Sequence, residues 1–230
     1  MKKALLLFAV LVVASGVVFA QGFKVVSAGG YANVNGLLGP TGATEVQSKG
    51  GAGMGFGPFL GVGGKVRATA GSMEKIKWAG NLSYDIFVGK GSTVEITQGI
   101  LKLGLGAEYG LNPMKMGAKE MWPYVTGELQ IAMFMDQSFS GLPAGFTATG
   151  SGSQTRFGFG LGAGVEYQLN EKLNLDIGLR LSLPNLVGKG TGKDALAPST
   201  AGGTDEGGWM DLQLRIGVNF SLGAAPAGGM

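Results

Sequence analysis

"KLNLDIGLRLSLPNL", Lys172 to Leu186, carries Leu173, Leu175, Ile177, Leu179, Leu181 and Leu183 at every second position. Lys172, Asn174, Asp176, Gly178, Arg180 and Ser182 stand between them. A period of two belongs to a strand, whose successive side chains point to opposite faces, so one face is wholly aliphatic and the other carries charge. In a soluble barrel the leucines line the inside. In a membrane barrel they form the outside, so the fold turns on which face meets water.

The same alternation runs through Met210–Leu222, Val125–Asp136 and Arg156–Gln168. Weaker, glycine-rich versions occupy Val26–Leu37, Gly55–Arg67, Lys77–Gly89 and Val94–Tyr109, with Pro58 costing the second of these a ladder donor. No segment holds a helical period. The chain therefore reads as all-β, with eight strands, or ten if the glycine-rich beginning divides differently. Long polar connections after the first, fifth and seventh strands alternate with tighter ones such as "NEK" at Asn170–Lys172; "KGST" and "LNPMKMGAKEM" fit that pattern less well.

The first residues, "MKKALLLFAVLVVASGVVFA", give a charged pair, an apolar run and small residues at Val18 and Ala20, the pattern of a secretory signal with cleavage after Ala20. Three segments follow: residues 1–20 as signal peptide, 21–222 as barrel, and 223–230 as a short Gly/Ala-rich tail. Removing Lys2 and Lys3 from the 18 basic residues leaves a near balance with the 15 acidic ones, which gives no case for nucleic acid. Cys and His are both absent, so there are no disulfides, no thiolate ligands and no imidazole base.

Only 14% of residues are charged, against about 25% in an ordinary soluble domain. The polar face is built from Gly, Ser, Asn and Gln with a few charges of both signs, which suits a narrow lumen better than a water-exposed exterior. The series Leu173–Leu183 matches the roughly 9–11 tilted residues that cross a bilayer. Trp78, Tyr109, Tyr167 and Phe220 fall toward one rim of the apolar face and Phe157 and Phe159 toward the other, as in an interfacial girdle. The fold expected is an antiparallel up-and-down transmembrane β-barrel, with Leu173–Leu183 against lipid and Arg180 in the lumen.

"GFGLGAGVEYQLNEKLNLDIGLRL" (Gly158–Leu181) resembles the penultimate hairpin of the small eight-stranded outer-membrane barrels of the OmpA, OmpX and OmpW type, and "WPYV" (Trp122–Val125) resembles the start of their fifth strand. Arg215, Gly217, Phe220 and Leu222 are similar to the C-terminal signal that such barrels present to the outer-membrane assembly machinery, although "GAAPAGGM" continues past it. The resemblance implies a bacterial outer-membrane location after export, with outer-membrane lipid, the assembly machinery and surface ligands of the long loops as partners.

Enzymes of this architecture use His beside Ser, Asp or Glu, and this chain has none, so no enzymatic activity is expected. "GVGGKV" and "GKGSTV" lack the phosphate-loop spacing and lead into no helix. Asp205 and Glu206 offer too few fixed oxygens for calcium in a glycine-rich loop. No cofactor or metal is expected. Lys102, Glu128, Arg180 and Arg215 fall near mid-height on the inward face, with Gly158, Gly160, Gly162 and Gly164 leaving room for large side chains; an ionic layer in which Glu128 is shared among these cations is expected to plug the lumen. The function read from this is structural and surface-interacting, through long external loops. The alternatives are a narrow porin-like channel for small or hydrophobic solutes and, with the faces inverted, a periplasmic lipocalin-like binder.

Overall fold

The computed structural model describes residues 23–39, 55–56, 59–70, 75–90, 95–117, 119–135, 138–142, 144, 153–188 and 209–222. Among these, eight long strands form the wall: β1 Phe23–Gly39, β2 Phe59–Ala70, β3 Ile76–Lys90, β4 Glu95–Gly110, β5 Lys119–Phe134, β6 Gln154–Gln168, β7 Leu173–Val187 and β8 Met210–Ser221. Each pairs antiparallel with its sequence neighbours, and β1 also pairs with β8, from Ser27 opposite Ser221 to Gly39 opposite Met210. The sheet is a closed barrel with no free edge. The predicted signal (1–20), the tail (223–230), Pro58, Asp205 and Glu206 lie outside the described residues, as does most of the three long connections.

The alternation decides the faces. Leu129 is 76% exposed and Leu60 70%, whereas Arg67 is 1% exposed and Asp85, Asp211 and Gln213 are fully buried. This inverts the soluble rule, in which charges stay outside unless paired and apolar residues go in. A lipid-facing wall needs no polar surface, and a closed barrel satisfies every wall amide within itself. Leu179 and Leu214 sit opposite one another on the outer face. Trp78, Tyr109 and Phe220 lie outside at the end where both barrel termini sit, and Phe157 lies outside at the other end.

At the end shared by the termini the β6–β7 turn is tight because Asn170 Oδ1 accepts from both Lys172 N and Leu173 N at 2.9 Å. The β4–β5 connection, an imperfect fit in the sequence, is itself a hairpin: Met114–Met116 pairs with Lys119–Met121. Strand β5 accordingly starts at Lys119, before the expected Val125. Pro123 and the Met/Lys mixture hide the alternation there. At the opposite end Gly55–Phe56 extends the wall beside Gly89 and Lys90, and Ser138–Ser140 does so beside Glu95–Thr97.

Candidate functional site

The site is the barrel interior, and glycines make room for it. Tyr31 sits between Gly217 and Gly63 on the strands to either side. Tyr124 lies against Gly164, where an added Cβ would come within 2.5 Å of the phenol oxygen. A Cβ at Gly160 would meet Gln130 Nε2 at 2.8 Å and Arg180 Nε at 2.9 Å. From Gly158 to Gly164 the sixth strand is therefore bare inside, so that the side chains of β5 and β7 can cross the lumen. At these positions glycine serves close approach, with no unusual φ needed.

Three tiers of charge fill the space. Nearest the chain termini, Arg67 makes ion pairs with Glu108, with Glu166 at 2.5 Å and with Asp176 at 3.2 Å, so that one guanidinium joins β2 to β4, β6 and β7. Lys65 reaches Glu108 at 3.1 Å and Asp176 at 2.5 Å. The Tyr124 hydroxyl donates to Asp176 at 2.6 Å, and Asn219 Nδ2 donates to Glu166 and Asp176, both at 2.9 Å. Buried charge at this density is tolerable only because each carboxylate has several donors.

At mid-height Glu128 pairs with Arg180 and accepts from Asn81 and Gln130, each at 2.7 Å. Arg215 donates to Gln213 Oε1 at 3.0 and 2.7 Å, and its guanidinium lies 4.6 Å from the centre of the Tyr31 ring. One tier further, Lys102 bridges Asp85 at 3.1 Å and Asp211 at 3.0 Å. Of the four residues named from the sequence, Glu128 and Arg180 are thus in direct contact. Lys102 belongs to a separate tier with carboxylates of its own, and Arg215 is held by an amide and a ring. Sequence reasoning missed Lys65, Arg67, Glu108, Glu166, Asp176, Asp85 and Asp211 as members of the interior network. The i, i+2 spacing of Lys65 and Arg67, which puts both on one face, was the available signal.

Above these tiers an apolar cap shares the lumen with the buried polar side chains of Gln98, Arg156 and Asn185. Phe87, Ile100, Ala132, Phe134 and Trp209 form one buried cluster, with Trp209 edge-on to Phe87 at 4.5 Å and to Phe134 at 5.9 Å. Trp209 Nε1 donates to Asp211 at 3.1 Å, tying the cap to the tier below. These residues occupy inward positions, where the alternation leads one to expect polar groups. Between the lower and middle tiers is a cavity of about 30 Å³ bordered by Tyr31, Tyr124, Arg180 and Arg215. That is room for one or two waters.

The chain is similar to several known proteins. Solved structures of similar fold include neisserial surface protein A (16% identity, TM-score 0.45, covering 88% of this chain and 98% of that one). OprG of Pseudomonas aeruginosa is similar at 16% identity and a TM-score of 0.49, covering 89% and 97%. Ail, the attachment invasion locus protein of Yersinia pestis, is similar at 10% and 0.42, covering 88% and 99%. No match is found among curated proteins. The family model for the outer membrane protein beta-barrel domain matches residues 4–220, nearly the whole chain, and with a closed wall and a charged interior this chain belongs to that family.

Proposed function

We propose that the protein, exported by a signal at residues 1–20, is a closed outer-membrane barrel that presents its long connections at the cell surface, its interior being a plug and not a path. The observation that carries this reading is the stacking of ion-paired tiers with an apolar cluster of Phe87, Phe134 and Trp209 on their loop side. Surface ligands of those connections, outer-membrane lipid and the assembly machinery are its partners in this reading. Arg215, Gly217, Phe220 and Leu222 form the assembly signal, with Phe220 exposed on the outer face of the last strand.

The plug is tested in planar bilayers. Wild type should stay at the background of the bare membrane, and steady single-channel events would overturn the plug in favour of a narrow porin-like channel. Glu128→Ala takes away the carboxylate paired with Arg180 and the acceptor shared by Asn81 and Gln130. Removing one partner of a buried pair costs about 3–5 kcal/mol. This variant should unfold at lower urea and leave excess positive charge that favours anions in any residual conductance. Unchanged stability and silence in both proteins would remove Glu128 from the plug.

A further inference from the structure

The β4–β5 hairpin carries an apolar face past the level where the wall should end. Tyr109 and Trp78 mark the interfacial level on β4 and β3, yet Leu111, Met114 and Met116 continue beyond Tyr109 and are exposed, Met116 at 62%. Met114 is directly opposite Met121, and Met116 is opposite Lys119. Opposed residues in an antiparallel pair share a face, and Lys119 and Met121 are in phase with the exposed Val125 and Leu129 of β5. The methionines therefore project on the side of the lipid-facing wall. Gly117, at φ 70°, turns the chain at the tip.

Just above the hairpin the wall is recessed. Ala107 and Gly127, paired across β4 and β5, floor a groove of about 440 Å³ between Ile76, Tyr109, Val125 and Leu161. Two exposed lysines lie below it, Lys75 next to the groove residue Ile76 and Lys119 at the hairpin tip opposite Met116. Lys75 Nζ donates to Asn112 Oδ1 at 3.4 Å, and Lys119 Nζ donates to the Leu169 carbonyl at 3.1 Å while lying 5.5 Å from the Tyr167 ring. Lysines that lay their stems along apolar surface with the ammonium at headgroup level are the usual partners of lipid phosphate.

The geometry points to a lipid site: an anionic glycerophospholipid of the periplasmic leaflet lays an acyl chain in the groove, its headgroup region runs along the Met114 and Met116 face, and Lys75 near the groove and Lys119 at the hairpin tip supply the positive charge that favours its phosphate. The occupant follows from continuity, because the groove and the methionine face prolong a surface that lipid already covers, and from the sign of the flanking charges. This inference rests on the membrane location and is independent of the plug.

The chain has no cysteine, so Met116→Cys takes a single polarity-sensitive fluorophore, with Lys172→Cys in the β6–β7 turn as the reference. Both proteins are refolded into vesicles of phosphatidylcholine with or without phosphatidylglycerol, and folding is confirmed by heat-modifiable gel mobility. The label at position 116 should emit to the blue of the reference, be quenched by lipids brominated on the acyl chain, and be shielded from aqueous iodide. Lys75→Gln and Lys119→Gln should each lower the preference for phosphatidylglycerol about fivefold, the equivalent of about 1 kcal/mol per lysine at an anionic surface. Native mass spectra of wild type should retain a phosphatidylglycerol adduct that Gly127→Leu, by filling the groove floor, removes. Iodide access equal to the reference, a blue shift that fades when protein is diluted in excess lipid and so reports a second copy, an unchanged preference in the lysine variants, or an adduct that is absent or survives Gly127→Leu would each overturn the proposal.

Discussion

Arg67 holds carboxylates from three strands at 1% exposure, and no other side chain has the planar fork to do so. Arg67→Ala leaves Glu108, Glu166 and Asp176 with only lysine, tyrosine and amide donors, and urea titration of the barrel folded in vesicles should show a loss of about 3–5 kcal/mol. Arg67→Lys should recover only a small part of it. Gly164→Ala forces the Tyr124 ring away from Asp176, at about 1–3 kcal/mol for overpacking, whereas Gly30→Ala, whose Cβ has a nearest neighbour at 3.6 Å, should be near neutral. Equal effects of the two alanines would show that room for the tyrosine is not what the glycine provides. Glu128 and Arg180 were legible as inward and central because β5 and β7 alternate cleanly. Arg67 was not, because Gly61, Gly63 and Gly64 blur the period of β2, and pairing partners drawn from distant strands depend on a register that sequence does not display.

The strands themselves were legible in proportion to the purity of their alternation. In β7 and β8 the expected leucine face is the outer face, and Leu179 opposite Leu214 gives the sharpest test of it. Leu179→Arg should cost about 2–4 kcal/mol if the site is near the bilayer midplane. The inward face does not bear added charge equally at every position. Gln213 donates to Asp211 at 2.6 Å and accepts from Arg215, so Gln213→Lys sets an ammonium beside a guanidinium and should also destabilise. Asn174, half-buried near the rim, is the position where a charge should be borne, and Asn174→Lys within about 0.5 kcal/mol of wild type is the expected result of the same titration. In β8, Phe220 stands opposite Leu173 on one side and Ala28 on the other. If it is also read as an assembly signal, Phe220→Ala should lower membrane insertion in cells more than refolding into detergent micelles. Equal losses in both assays would reduce it to a packing residue.

For the molecule as a whole, location and closure were readable from the sequence, but the cap was not. Ile86, Phe87 and Val88 run consecutively, so parity alone could not say that Phe87 turns inward, and Trp209 lies just before the last strand, beyond the reach of any period. Trp209→Ala should open the outer mouth yet leave conductance low while Lys102, Asp85 and Asp211 remain; combining it with Lys102→Ala should admit water and raise single-channel events above the wild-type background. Silence in the double variant would place the block in the lower tiers. The seam between β1 and β8 has a further consequence, for time instead of place. It joins the first and last strands, so it closes after the local hairpins have formed, and its closure brings Lys65 and Arg67 of β2 to Asp176 of β7. Reopening must part that whole ladder and expose its amides to hydrocarbon while stripping donors from buried carboxylates. Persistence in the membrane is then governed by the rate of one unzipping event, and a barrel of ordinary equilibrium stability can outlast many cell divisions.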